Sequence, residues 1–241
     1  MIGKDRRRRV QDTMGLHFNR AYGVFYGNIE PYEPQVSRVV RNIFKQNGRV
    51  FVDVGAYFGY YVQMVDKLTT DARIVAVEPD PQNFQELLTR LPKTDVVRAF
   101  RMALWKSDDE EVEFNLGAGN LSISGSLTPT EWHRRNGFLS GKTIKVKTIR
   151  LDTLVKMLGL DVVDLVKIDI EGAEYPVLTD PTLDLSAVKN LIVEIHYSPL
   201  SEESIEIHRC LKKKGYSIFA LPSVLGGRIF HLVATKSEIS W

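Results

Sequence analysis

A single cysteine, Cys210, stands in the 241 residues, so no intrachain disulfide can form, which suits a reducing compartment. It falls within Ile205–Leu211, which reads as an amphipathic helix, and its expected role is that of a small core residue. Net charge is nearly absent as well. The 32 Lys and Arg against 30 Asp and Glu leave +2, too little to argue for a nucleic-acid partner. No apolar run reaches the roughly 18 residues that a membrane-spanning helix needs. The N-terminus starts basic but carries no apolar stretch behind the charges, so it does not read as a signal peptide. Internal repeats and linker-like stretches are missing too. These absences predict a soluble, cytoplasmic protein with one domain over residues 31–241, preceded by a basic extension at 1–30.

Hydrophobic residues reach 44%, which supports a large core and excludes global disorder. The charges that exist are unevenly placed. Lys4 and Arg6 to Arg9 form a basic run, read either as a frayed, solvated terminus or as a contact for RNA or a membrane surface. A short strand is expected around Tyr22–Tyr26. Val36, Val39, Val40, Ile43 and Phe44 recur at helical spacing and predict a helix over Pro31–Gln46, stopped by Asn47-Gly48. Arg49–Val54 is a continuous apolar strand of the kind covered on both faces in a parallel sheet, and Tyr57–Leu68 is the following helix. Strand Arg73–Glu78, helix Pro81–Leu91 with proline in its first turn, and strand Val96–Phe100 repeat the unit.

The alternation then breaks. Glu111–Leu116 and Thr143–Ile149 read as antiparallel strands, and Gly117–Gly141 between them, rich in Gly, Ser and Thr, as a mobile loop over a site. Helix Leu151–Leu158, strand Val163–Ile168, helix Gly172–Leu178, strand Asn190–Ile195, helix Glu202–Lys213 and strands Tyr216–Ala220 and Arg228–Thr235 complete the chain. The expected fold is α/β: a doubly wound, Rossmann-like, mostly parallel seven-stranded sheet with an antiparallel edge and an inserted β-hairpin.

In such sheets a ligand lies outside the carboxyl ends of the strands, where strand order reverses. The first strand ends in Asp53-Val54-Gly55-Ala56-Tyr57-Phe58-Gly59. Gly55 suits a turn that approaches a ligand closely, and Gly59 suits tight packing of the next helix on the strand. The second strand ends in Glu78-Pro79-Asp80, where an acid reaches ribose hydroxyls. A pyrophosphate wants free amides in a glycine-rich turn at a helix N-terminus. Bulky Tyr57 and Phe58 replace the second glycine of that fingerprint, and Asp53 would repel a diphosphate. S-adenosylmethionine carries a sulfonium and an ammonium and no phosphate, so the sign of charge selects it over a nicotinamide dinucleotide. A helix-capping acid would account for Asp53 alone but not for Asp53, Gly55, Gly59 and Glu78 together. Met102 and Ala103, just past the third strand, are either an adenine wall or ordinary core.

These residues are matched by a known family. The chain resembles FkbM-type methyltransferases through Tyr32-Glu33-Pro34, FVDVGAYFGYY at 51–61, VAVEPDPQNFQELL at 75–88, Ala103-Leu104-Trp105, Arg150 to Leu154, and DLVKIDIEGAEYPVL at 164–178. The matching pieces run from roughly residue 30 to 198, and the last block is the most specific. The family often has Asn-x-Gly where Tyr57-Phe58-Gly59 stands here, a departure not expected to disturb cofactor binding. The resemblance implies a class I methyltransferase fold and methyl transfer, commonly to a hydroxyl oxygen of a sugar or secondary metabolite.

A hydroxyl acceptor needs positioning and removal of its proton. Asp169 and Glu171 follow the fourth parallel strand, and His196 ends the fifth, so all three should open beside Gly55. Asp169 is expected to orient cofactor or acceptor, a role to which the resemblance also points. His196 is the leading general base, or else a histidine hydrogen-bonded at a strand end. Glu171 and Glu174 either support the site or favour the N-terminus of the next helix. Lys167, in a buried strand, should pair with one of these acids. Glu33 either reaches over the cofactor or complements its own helix. Asp169, Glu171 and His196 are also right for a divalent ion, but sequence fixes no geometry and no metal is assigned. Ser122, Ser124 and Ser126 in Asn120–Pro129, with Trp132-His133-Arg134-Arg135, form either part of a substrate wall or an exposed hairpin tip.

The leading expectation is therefore an O-methyltransferase acting on a glycan or small metabolite. An RNA methyltransferase is the alternative, with Lys4 to Arg9, Arg134-Arg135 and Lys212 to Lys214 tracking phosphates, although no added RNA-binding module is visible. A cofactor-binding protein without catalysis is a third. Oligomeric state is not readable.

Overall fold

A computed structural model describes residues 33–69, 71–118, 124–222 and 229–236. The basic run at 4–9, the strand expected at 22–26, Tyr32 and Ser122 lie outside them. The parallel half begins with α1 (Pro34–Lys45), β1 (Val50–Val54), α2 (Tyr60–Leu68), β2 (Arg73–Val77), α3 (Pro81–Arg90) and β3 (Val97–Phe100). A small insertion follows with β4 (Ala103–Leu104), β5 (Glu111–Gly117), α4 (Glu131–Asn136) and β6 (Leu139–Ile149). The chain then returns to the main sheet through α5 (Leu151–Met157), β7 (Leu165–Ile168), α6 (Glu174–Leu178), β8 (Asn190–Ile195), α7 (Glu202–Lys213), β9 (Ser217–Pro222) and β10 (Phe230–Thr235). Among the described residues, no helix is long and apolar enough to cross a membrane.

The main sheet has seven strands in the order β3-β2-β1-β7-β8-β10-β9. Neighbours from β3 to β8 pair in parallel, and β10 pairs antiparallel with both β8 and β9. Strand order reverses between β1 and β7, so the crevice expected for a ligand opens at their carboxyl ends. Register decides which side chains meet there. Asp53 lies beside Lys167, Lys167 beside Ile192, and Glu194 beside His231. Side chains alternate between faces along a strand, while paired residues share one. Phe51, Leu165, Ile192 and Val233 accordingly pack with α1 and α2 in one core. Val52, Val54, Val166, Ile168, Val193 and Ile195 pack with α5, α6 and α7 in the other. Asp53, Lys167, Glu194 and His231 thus belong to the α1–α2 face.

Helix starts follow local chemistry. Pro34 opens α1, and its Val36, Val39, Val40 and Phe44 stripe is buried. Asp80 caps α3 by accepting from Gln82 N–H at 2.8 Å and Asn83 N–H at 3.2 Å. Asp80→Ala is expected to cost about 1 kcal/mol, read as a lower thermal midpoint.

The segment expected as a loop carries elements of its own. The described residues of 117–141 include α4, Ser126 in a bridge to Asn115, and the start of β6. Gly141 adopts φ +76° with open space where a side chain would stand, so β6 runs through a residue that reads as a turn. The two-residue β4, parallel to β6, makes the inserted hairpin a three-stranded sheet.

Candidate active site

The turn after β1 is fastened to both neighbouring strands. Gly55 and Ala56 N–H donate to Val77 O at 2.9 and 3.0 Å. Gly55 has φ +75°, and a Cβ there would lie 1.7 Å from Asp169 O. The close neighbour that requires glycine is therefore the end of β7 rather than a ligand. Tyr57, left-handed at φ +49°, donates its N–H to Glu78 Oε2 at 2.9 Å, and Asp80 N–H donates to Glu78 Oε1 at 3.0 Å. Glu78 thus ties the first turn to the second. Gly59 has φ +76°, and a Cβ would meet Leu87 Cδ1 at 2.7 Å, so its tight packing is against α3 and not against the strand. Ala56 and Phe58 are buried, Tyr57 stacks on Phe58 at 3.7 Å, and Pro79 is half-buried beside Glu78. Ala103 packs with Phe114 and Val146, which places it in the core of the small sheet; Met102 is half-buried against the main core.

Beneath this turn lies a buried charge cluster. Asp53 is 1% exposed, and its Oδ1 meets no hydrogen-bond donor among the described residues. Burial pushes its carboxyl up to about 7, with Lys167 pulling it down and Asp169 and Glu33 adding to the rise. Lys167, 3% exposed, stands 3.2 Å from Asp169 Oδ2 and over the Tyr61 ring. Burial opposes its charge, but Asp169, Glu33 and Asp53 outweigh that and hold it protonated. Glu33 is the N-cap residue of α1 yet makes no side-chain cap bond. It accepts from Tyr61 OH at 2.6 Å and lies 3.2 Å from His231 Nε2, so helix capping is not its role. Burial resists its ionisation, but the His231 bond and charge hold the carboxyl well below the usual range. His231 also reaches Glu194 at 3.3 Å, and these two acids raise it to about 9 against desolvation.

Beyond β7 a second constellation forms. Glu171, at φ +53°, faces His133 Nε2 and His196 Nε2, each at 3.0 Å from its Oε2. Thr130 N–H donates to His133 Nδ1 at 3.1 Å, so Nε2 carries the proton that His133 gives to Glu171. His196 Nδ1 donates to Glu174 Oε1 at 2.9 Å, and fully buried Glu174 accepts from Gly172 N–H. Ser126 Oγ donates to Glu171 O, and a Cβ on Gly172 would strike Thr128 O at 2.6 Å. The inserted segment is thereby clamped onto the β7 turn.

This geometry alters the role expected of His196. A general base needs a free lone pair facing the acceptor, whereas both its nitrogens face carboxylates. Burial lowers its proton affinity, yet Glu171 and Glu174 raise it well above the ordinary range. His196 is thus built to hold Glu171, whose carboxyl burial would neutralise but the histidines keep ionised. His133 is buried against Glu171, whereas Arg134 and Arg135 are exposed on α4, Arg135 pairing with Glu131. The side chain of Trp132 lies outside the described residues. Lys212 to Lys214 end α7, which runs back from the carboxyl end of β8, and Lys214 donates to Leu183 O. They stand at the opposite end of the sheet from Gly55.

The charge pattern gives a pH dependence. Asp53 and Glu78 are raised to about 7 and about 8, chiefly by burial, so the folded chain holds these protons more tightly than the unfolded one. Their contribution to stability is present at acid pH and lost as pH rises through those values. His231, raised to about 9, acts in the same direction above 6.5. The thermal midpoint of the ligand-free protein is expected to fall from pH 6 to pH 9 at constant ionic strength.

A family model described as the methyltransferase FkbM domain matches residues 53–218, a span that holds the β1 turn, the β7 turn and His196. The chain belongs to the FkbM methyltransferase family. The 2-O-methyltransferase NoeI of Sinorhizobium fredii is 23% identical over 188 residues, covering 73% of this chain and 75% of that protein. The hexuronic acid methyltransferase AglP of Haloferax volcanii is 28% identical over 150 residues, covering 61% of this chain; the chain spans 56% of that relative's length. Among solved structures, an O-methyltransferase from Bacillus cereus in complex with SAH superposes with TM-score 0.50 at 15% identity, covering 93% and 90% of the two chains. The METTL16 methyltransferase domain gives 0.52 at 11% identity, covering 87% and 71%. Likeness at that identity speaks for the fold alone, and it agrees with the strand order of this FkbM domain.

Proposed function

We propose that this FkbM methyltransferase transfers the methyl group of S-adenosylmethionine to a hydroxyl oxygen of a sugar or glycan, through a domain spanning 31–241. The observation that carries the cofactor assignment is Asp53: a buried carboxyl whose Oδ1 receives no hydrogen bond among the described residues and whose ionisation burial resists. A cationic, phosphate-free ligand beside it favours the ionised form, and a pyrophosphate opposes it. The turn at Gly55 to Gly59 with Glu78 and Pro79 forms the adenosine side, and Asp53 with Glu33 behind it forms the methionine side. Asp169 and Glu171 face the acceptor, and His196 positions Glu171. NoeI is named for transfer to an oxygen and AglP for a hexuronic acid, which together favour a sugar oxygen over RNA as acceptor.

Transfer of labelled methyl from S-adenosylmethionine is to be measured against hydroxylated sugars, hexuronic acids, lipids and RNA. Label is expected in a sugar oxygen and in an amount that falls with Glu171→Gln. Label confined to RNA, or undiminished in the variant, would overturn the acceptor assignment or the Glu171 role respectively.

A further inference from the structure

Three side chains beside the β7 turn have the geometry of a metal site. Donor atoms of Asp169, Glu171 and His196 all lie within 4.8 Å of one another. One cation held about 2.0 to 2.5 Å from each donor would span that separation. We propose that Asp169, Glu171 and His196 bind one divalent cation of the magnesium or manganese class.

The surroundings of each donor support this. His196 gives its Nδ1–H to buried Glu174, the pairing that in metal sites fixes the ring, and the ion would stand in place of the proton between Nε2 and Glu171 Oε2. Glu171 is braced by His133, whose own Nδ1 is engaged by Thr130, so His133 backs a ligand and is not one. Asp169 accepts Lys167 on Oδ2, while its buried Oδ1 receives no hydrogen bond among the described residues. Buried acceptors are nearly always satisfied, and a cation at this point would satisfy Oδ1. Two carboxylates and one imidazole leave coordination positions for water or for a hydroxyl oxygen. Glu171, a non-glycine residue at positive φ, is locked there by contacts from the inserted segment, as expected where strain serves a site.

Glu33, Glu194 and His231 also gather three donors. That group differs because no buried oxygen of Glu33 or Glu194 lacks a partner among the described residues, whereas Asp169 Oδ1 does. It lies on the cofactor side, under Asp53. Resting on the methyl-transfer reading, the cation's role is to hold the acceptor hydroxyl and ease loss of its proton, work for which His196 has no free nitrogen.

The test uses the full chain, stripped with EDTA and dialysed, and titrated with Mn2+ while the aqueous Mn2+ resonance is followed, with and without S-adenosylhomocysteine. One Mn2+ per chain is expected. Uptake should weaken at least tenfold in Asp169→Asn and in Glu171→Gln, about tenfold in His133→Gln, and less than twofold in His231→Gln. Thermal melts of each variant separate lost ligation from lost folding, and His133→Gln, which touches no ion, guards against a collapsed Asp169 variant. An undiminished Mn2+ signal with wild-type chain at millimolar protein would overturn the site. So would uptake that survives Asp169→Asn and disappears in His231→Gln. If S-adenosylhomocysteine binds and methyl transfer persists in EDTA, the cation fails and the methyltransferase reading stands. If S-adenosylhomocysteine does not bind, that reading fails while the Mn2+ titration still judges the site.

Discussion

Gly55→Ala is expected to lower stability by about 2–5 kcal/mol and to abolish detectable cofactor binding. Holding an alanine at φ +75° costs about 1–2 kcal/mol by itself. The larger effect is steric, because the new methyl would stand 1.7 Å from Asp169 O. That oxygen belongs to backbone fixed by the β1–β7 ladder, where Asp169 N–H donates to Val54 O at 2.9 Å, so it cannot swing aside. Forcing the strands apart adds about 1–3 kcal/mol of overpacking strain. In a chain of this size the sum corresponds to a drop in thermal midpoint of about 10 °C. Gly59→Ala is the control, since its obstacle is the end of the Leu87 side chain, which can rotate, and its cost should be clearly smaller. Equal midpoints for Gly55→Ala and wild type would show that β1 and β7 do not approach as closely as described.

Lys167→Met should be nearly as damaging, for an electrostatic reason. Lys167 faces Asp169, Glu33, Asp53 and Glu194, and its removal leaves His231 as the remaining cation beside them among the described residues. Removing one partner of a buried ion pair costs about 3–5 kcal/mol because an uncompensated charge stays behind. The pH dependence identifies this cause. Without the ammonium Asp53 is raised further and Glu33 is held down less, so the folded variant binds more protons and its deficit eases as pH falls. Its deficit against wild type should therefore shrink between pH 8 and pH 5. A deficit constant over that range would mean that lost packing on Tyr61, and not charge, is responsible.

The legible part of this molecule is the part written locally. The turn from Asp53 to Gly59 shows in sequence because its backbone needs glycines at positive φ next to an apolar strand, and Glu78 shows because it ends the next strand. The doubly wound order was readable for the same reason: each strand and helix of the parallel half carries its own period. What escaped depends on register. Glu194 meets His231 across an antiparallel pair 37 residues apart, and Glu33 joins them from a helix start that looks like ordinary charge complementarity. No single-strand pattern contains that triangle.

The carboxylate partners of His196 were hidden for a related reason. Spacing placed the ring at a strand end, but Glu174 and Glu171 reach it only after the β7 turn has folded back. His133 was visible merely as part of a substrate wall. Its helix starts with Thr130 and has histidine where a capping acid or amide usually stands, so the start signal is weak. Gly141 hid the beginning of β6, and β4 is too short to have a period.

The proposed function requires that Asp53, below the β1 turn, take a cationic adenosyl ligand. Isothermal titration calorimetry of the full chain with S-adenosylmethionine, and in parallel with NAD, tests it most directly. One S-adenosylmethionine per chain is expected, with affinity at least tenfold weaker in Asp53→Asn, and no heat from NAD. Uptake of NAD with none of S-adenosylmethionine would contradict the account.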